Sequence, residues 1–202
     1  NYTNSVKNKE GYTLEVNSKG ISIGASNFGG FHNALQTLKQ LLPAKLLTKT
    51  LEIPFCKIID EPRFEWRGLM LDVSRHFFSV EEVKDYINKM SEFKFNKFHW
   101  HLTDDEGWRI EIKSLPKLTE ISAWRGERNG RFGEDRPSPT PNEPKTYGGF
   151  YTQEEIKDVI DYAEKRNITI IPEIDIPGHS MALLAAYPEL STKKEITQVS
   201  VG

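Results

Sequence analysis

Two apolar runs in this chain end the same way, and that shared ending constrains its fold most. Residues Ile168-Thr-Ile-Ile-Pro-Glu-Ile-Asp-Ile-Pro-Gly-His-Ser180 begin as a β-branched strand, then turn polar, with Glu173, Asp175 and His179 in close succession. Pro177 and Gly178 force a turn at that point. Residues Phe98-His-Trp-His-Leu-Thr-Asp-Asp-Glu106 repeat the pattern. Apolar strands that deliver carboxylates and histidines at their C-terminal ends are how a parallel β/α barrel builds an active site. A purely structural barrel has no reason to place charge there twice.

The intervening pattern agrees. Gly68-Leu-Met-Leu-Asp-Val73 is an apolar strand. Ser79 caps a helix with Glu81 and Glu82 in its first turn and Val83, Tyr86, Ile87, Met90 and Phe93 as its apolar stripe. Residues 97–103 form the next strand. A stretch rich in Gly, Pro and charge follows, residues 104–149. Thr152 caps a second helix, with Ile156, Val159, Ile160 and Ala163 on one face, and residues 168–174 form a third strand. This β-α-β-loop-α-β order starts a (β/α) barrel or a doubly wound sheet.

Before Asp60-Glu-Pro62 the pattern differs. Residues 12–16 alternate as a strand, Asn17-Ser-Lys-Gly20 is a turn, and residues 21–23 are the return strand of a hairpin. Asn27 is placed to cap a helix running to about Leu42, stopped by Pro43, and residues 51–59 read as another strand. The expected fold class is therefore α/β. Residues 61–202 form the first three β/α units of a (β/α)8 TIM barrel, preceded over residues 1–60 by the end of a small α/β domain. A closed barrel needs eight strands and about 250 residues. The missing barrel half is expected from further polypeptide.

The net charge of −2 gives no basis for a nucleic-acid partner or an anionic membrane surface. No run is long and apolar enough to span a membrane. The single cysteine, Cys56, lies in an apolar run and reads as a core residue. No leader is visible at Asn1, but the chain does not begin with Met, so that absence carries little weight.

The polar positions allow more than one chemistry. His99 and His101 share a strand face, a spacing that suits metal chelation, with Asp104, Asp105 and Glu106 as further oxygen donors. An alternative reading is thus a metal-dependent barrel hydrolase using His99, His101 and Asp175. A third is a non-catalytic sugar-binding fragment. Asp175 and His179 stand four apart, and a carboxylate beside an imidazole sets its tautomer and raises its pKa. Asp72, Arg75 and His76 end the first barrel strand, where the plainer reading of Arg75 is an ion pair pinning strand to loop. Trp100, Trp108 and Trp124 flank the acids, either as core or as platforms for sugar rings.

Four motifs occur in order: Trp66-Arg-Gly-Leu-Met-Leu-Asp-Val-Ser-Arg-His-Phe77, Phe98-His-Trp-His-Leu-Thr-Asp-Asp-Glu-Gly-Trp-Arg109, Gly148-Gly-Phe-Tyr-Thr-Gln153 and Pro172-Glu-Ile-Asp-Ile-Pro-Gly-His179. Together they closely resemble family 20 glycoside hydrolases, the β-N-acetylhexosaminidases. The resemblance implies removal of terminal β-linked N-acetylhexosamine from glycans with retention and without a cofactor. The substrate's acetamido oxygen attacks the anomeric carbon to give an oxazolinium intermediate. It implies that Arg67 grips sugar hydroxyls. It further implies that Asp104, His179 and Asp175 form the network supporting a general-acid Glu, and that the enzyme is secreted, periplasmic or lysosomal. The family's catalytic Asp-Glu pair lies in a Gly-rich motif, and no Gly-x-Asp-Glu occurs among these residues. The chain alone is expected to be inactive.

Overall fold

The structure is a computed structural model describing residues 6–43, 51–128, 137–140, 142–193 and 198–201. The N-terminal unit is built on a hairpin of β1 (Tyr12–Asn17) and β2 (Gly20–Ala25). Alternation along β1 sends Tyr12, Leu14 and Val16 inward, and α1 (Phe28–Gln40) covers them with Ala34 at the contact. Asn27 takes the N-cap backbone position, but its side chain makes no capping bond. β3 (Cys56–Asp60) pairs antiparallel with the other edge of β1. The strand expected over residues 51–59 is cut to its second half. Its partner β1 runs out where Val16 meets Cys56, and Pro54 has no N–H to offer a ladder. Cys56 is only partly buried there.

The second unit follows the expected order. β4 (Gly68–Asp72) leads through α2 (Val80–Glu92) to β5 (Lys97–Asp104), which folds back on a short β6 (Gly107–Trp108). The Gly- and Pro-rich stretch contains α3 (Lys117–Glu120) and a small ladder of β7 (Trp124–Arg125) with β8 (Tyr147–Gly148). α4 (Gln153–Glu164) then leads to β9 (Thr169–Ile174) and α5 (Met181–Ala186). Both long helices begin with a complete capping box: Ser79 with Glu82, and Thr152 with Glu155.

β5 is central, parallel to β4 on one side and to β9 on the other. This alternating β-α-β topology matches the start of a (β/α)8 barrel, with the sheet still open. Phe98, Trp100 and Leu102 face the helices and are buried with Val83, Ile87, Met90, Val159 and Ala163. The opposite face, a barrel's interior, carries Met70, His99 and Ile171 in one layer and Asp72, His101 and Glu173 in the next. Two residues read as stripe positions lie outside this core. Phe93 falls past the end of α2 and is exposed, and Ile160 borders an open groove beside β9. No described helix is long and apolar enough to cross a membrane.

Candidate active site

The C-terminal ends of the parallel strands converge on one carboxylate. Asp104, the last residue of β5, is only 2% exposed. A carboxylate buried that deeply needs donors around it, and Asp104 has them on both oxygens. Its Oδ2 lies 2.8 Å from His101 Nε2 and 2.7 Å from Arg75 Nη1. Its Oδ1 accepts the Asp105 backbone N–H at 2.7 Å and faces His179 Nδ1 at 3.1 Å. Asp175 follows β9, and its backbone N–H donates to Thr103 Oγ1 at 2.9 Å. His101, Asp104 and Asp175 place ligand atoms within 4.8 Å of one another, as do Asp104, Asp105 and His179. So Asp104, Asp175 and His179 lie together at the C-terminal ends of β5 and β9.

The pairing at these strand ends differs from the expected one. Asp175 was the expected partner of His179, but the imidazole turns to Asp104. The cause is local backbone: His179 has φ 48°, in the left-handed region, directly after Gly178.

Arg75 completes the site from β4. Asp72 Oδ1 accepts the N–H groups of Ser74 and Arg75 at 2.9 and 3.1 Å, which folds the loop tightly around the strand end. Arg75 Nη1 then lies 2.9 Å from Asp72 Oδ2, and its Nε lies 3.0 Å from Glu106 Oε2. Burial opposes the Arg75 charge, but the bond to Asp72 and the nearby acids outweigh it and raise its pKa. Burial pushes the Glu106 carboxyl above its usual range, with Arg75 pulling the other way. Among the described residues no hydrogen bond occupies Arg75 Nη2, and the side chain is 31% exposed. That corner is open to a ligand.

Arg109 holds the surrounding loops. It is wholly buried and donates to the carbonyls of Val73, Ser74, Ala123 and Gly149 at 2.6–3.1 Å. Burial lowers its pKa to about 10. The close approach it serves needs Gly148, at φ 150°, where a Cβ would sit 1.9 Å from the Ala123 carbonyl oxygen.

Arg67 is a correction. It precedes β4, at the end of the sheet opposite Asp104. Its guanidinium is bound bidentately by Glu10, at 2.7 and 3.2 Å, and donates to the carbonyls of Lys94 and Phe64. Through Glu10 it ties the N-terminal unit to the base of the sheet. Arg75 is the arginine at the strand end, and the strand-end criterion that selects Asp104 also selects it.

The metal alternative finds only part of its set together: His101 and Asp175 cluster with Asp104. His99 belongs to neither ligand cluster among the described residues. It contacts Glu173, and His101 has carboxylate oxygens at both ring nitrogens. Of the candidate sugar platforms, Trp100 and Trp108 are core residues, and Trp124 is half-buried with its Nε1 donating to the Thr119 carbonyl.

Comparison with known proteins gives the family. The sequence model described as glycosyl hydrolase family 20, catalytic domain, matches residues 64–202, and that of the family's domain 2 matches residues 1–61. A beta-hexosaminidase of Vibrio furnissii is 51% identical over 187 residues, 93% of this chain and 30% of that protein. A beta-hexosaminidase of Porphyromonas gingivalis is 48% identical over 189 residues, 91% of this chain and 22% of that protein. Among solved structures, a GH20 exo beta-N-acetylglucosaminidase from Vibrio harveyi in complex with N-acetylglucosamine superimposes with a TM-score of 0.83. It shares 52% identity and covers 94% of this chain and 29% of its own. This chain therefore spans under a third of the length of these relatives.

Proposed function

The chain belongs to glycosyl hydrolase family 20, a family of enzymes, and on that premise we propose that it supplies the supporting half of a β-N-acetylhexosaminidase site. The reaction releases terminal β-linked N-acetylhexosamine from glycans. The substrate's acetamido oxygen attacks the anomeric carbon, and retention follows from the oxazolinium intermediate. An internal nucleophile gains from proximity, since no second molecule has to be ordered.

In this reading Arg75 offers its open Nη2 to sugar hydroxyls, the role expected of Arg67. The Asp104–His179 pair backs the general-acid Glu, which must donate a proton and later take one back. A carboxylate–imidazole pair beside such a Glu keeps its proton affinity near the working pH. Asp175 lies at the same strand ends. The general acid and the residue orienting the acetamido group come from polypeptide beyond these motifs. The reaction takes place in a secreted, periplasmic or lysosomal setting.

One observation carries this reading: a buried Asp104 at the strand ends, engaged on both oxygens by cationic or N–H donors. The test is turnover of an aryl N-acetyl-β-glucosaminide by the intact hydrolase carrying this segment, with the anomer of the first product read by NMR. The β-anomer is expected. First release of the α-anomer, or equal turnover of the glucoside lacking the acetamido group, would overturn the substrate-assisted mechanism.

A further inference from the structure

Beneath Asp104, the inner face of β5 and β9 carries a column of ionisable side chains that the mechanism above leaves unused. Glu173 Oε2 contacts His99 Nε2 and lies 2.7 Å from His101 Nδ1. His101 Nε2 faces Asp104 Oδ2 at 2.8 Å, and Asp104 Oδ1 faces His179 Nδ1 at 3.1 Å. From the sheet's inner face to the mouth the order is His99, Glu173, His101, Asp104, His179. Parallel register fixes it, because His101 sits directly opposite Glu173.

His101 decides what the column does. Both its ring nitrogens face carboxylate oxygens, which only accept. A neutral imidazole has one N–H and would turn a lone pair toward one of those carboxylates, on a side chain only 6% exposed. An imidazolium satisfies both. The charged groups facing it are Glu173, Asp104 and Asp72 on the negative side, and Arg75, with Nη1 3.2 Å from Nε2, on the positive side. His99 lies beyond Glu173. Burial works to lower the pKa of His101, but the bonds to Glu173 and Asp104 outweigh it and raise it. The bond to His101 in turn holds the Glu173 carboxyl below its usual range.

We propose that Glu173 is a positioning residue for the acid–base chemistry of the site: through His101 it fixes the charge and orientation of Asp104, and through Asp104 those of His179. The inference rests on the hydrolase reading above. Glu173 touches no reacting atom and acts only along the column. Without the Glu173 charge, His101 loses its anionic acceptor at Nδ1 and becomes neutral at lower pH. Asp104 Oδ2 then keeps Arg75 as its only cationic donor.

The experiment compares the intact hydrolase with its Glu173→Gln and Glu173→Asp variants. It measures kcat/KM against pH on an aryl N-acetyl-β-glucosaminide, and records 15N imidazole spectra assigned by loss of signal in His101→Gln. In the unsubstituted protein at pH 7, both His101 nitrogens are expected in the protonated range. In Glu173→Gln one is expected deprotonated. The alkaline limb of kcat/KM should move down by about one pH unit or more, with kcat falling further than KM changes. Glu173→Asp keeps the charge and should restore the limb part-way.

A Glu173→Gln profile that superimposes on the unsubstituted one, with only Tm lowered, would reduce Glu173 to a structural role and overturn the proposal. So would a neutral His101 at pH 7 in the unsubstituted protein, a measurement that holds even if the variants do not fold. Absence of any turnover by the unsubstituted hydrolase is a different failure. It removes the reading on which the proposal rests, while the spectra still decide the state of the column.

Discussion

Arg67 and Arg75 flank the same strand, and their roles follow from which end of β4 each occupies. Arg67→Ala removes the cationic partner of Glu10, which keeps only Asn96 and Asn167 as side-chain donors, and should cost about 1.5–3 kcal/mol of stability, the usual worth of a charge-assisted hydrogen bond. Its effect on kcat/KM should be small. Arg75→Ala should lower kcat/KM by about 10–100-fold, from loss of comparable bonds to sugar hydroxyls. Thermal melts and steady-state kinetics of the two variants in the intact hydrolase check this, and the reverse pattern would sink both assignments. Glu106 gives a pH test. Its folded-state pKa is raised, chiefly by burial, so the folded protein holds that proton more tightly than the unfolded chain does. Stability from this group is therefore present below the unfolded pKa, near 4.3, and lost as pH rises through the folded value. Glu106→Gln should remove that loss. Arg75 keeps Asp72 and Asp104 as partners, so the variant should be at least as stable as the parent at pH 7. A fall in Tm of several degrees at pH 7 would show that the Glu106 carboxylate is needed as a charge.

The helix caps let the sequence be tested element by element. Ser79→Ala and Thr152→Ala each break a complete capping box and should each cost about 1 kcal/mol in denaturant titrations. Asn27→Ala, at a cap position whose side chain bonds nothing, should cost only a few tenths. Equal losses at all three sites would show that the Asn27 side chain also caps α1. The two boxes were legible because Ser or Thr followed three positions later by Glu is a local pattern. So were β1, β4, β5 and β9, whose apolar content marks them within a few residues. The pieces β6, β7 and β8 were not, because two residues carry no periodicity. The carbonyls that Arg109 gathers fix that region instead. At the site, strand-end position located Asp104, Asp175 and His179. It could not show that His179 turns to Asp104, because that depends on a left-handed backbone angle that residue spacing does not encode. The same criterion points to Arg75 over Arg67, but the partner that holds Arg67, Glu10, is distant in sequence and adjacent only in space.

At the scale of the molecule, the open sheet sets the last prediction, which concerns the 202-residue polypeptide by itself. β5 is paired on both sides, whereas the outer edges of β4 and β9 are unpaired among the described residues. Met70 is 53% exposed on the inner face, and on the helix side of β9 Ile156, Ile160, Ile168, Ile170 and Pro172 line an apolar groove. Unpaired parallel edges beside apolar surface favour association with other chains. The polypeptide should therefore self-associate at micromolar concentration in sedimentation velocity and bind an apolar dye. It should also lack glycosidase activity, because no Gly-x-Asp-Glu motif occurs in it. Loss of positioned acid–base catalysis alone costs about 10²–10⁴-fold. Losing the acetamido-orienting group as well removes the nucleophile's alignment, and losses within one catalytic unit do not simply add. Adding the remaining barrel strands, in one chain or as a separately expressed piece, should suppress dye binding and restore turnover together, since the same polypeptide covers the edges and brings the acid. A monomeric, dye-silent 202-residue polypeptide that hydrolyses an N-acetylglucosaminide would refute this coupling of fold completion to chemistry.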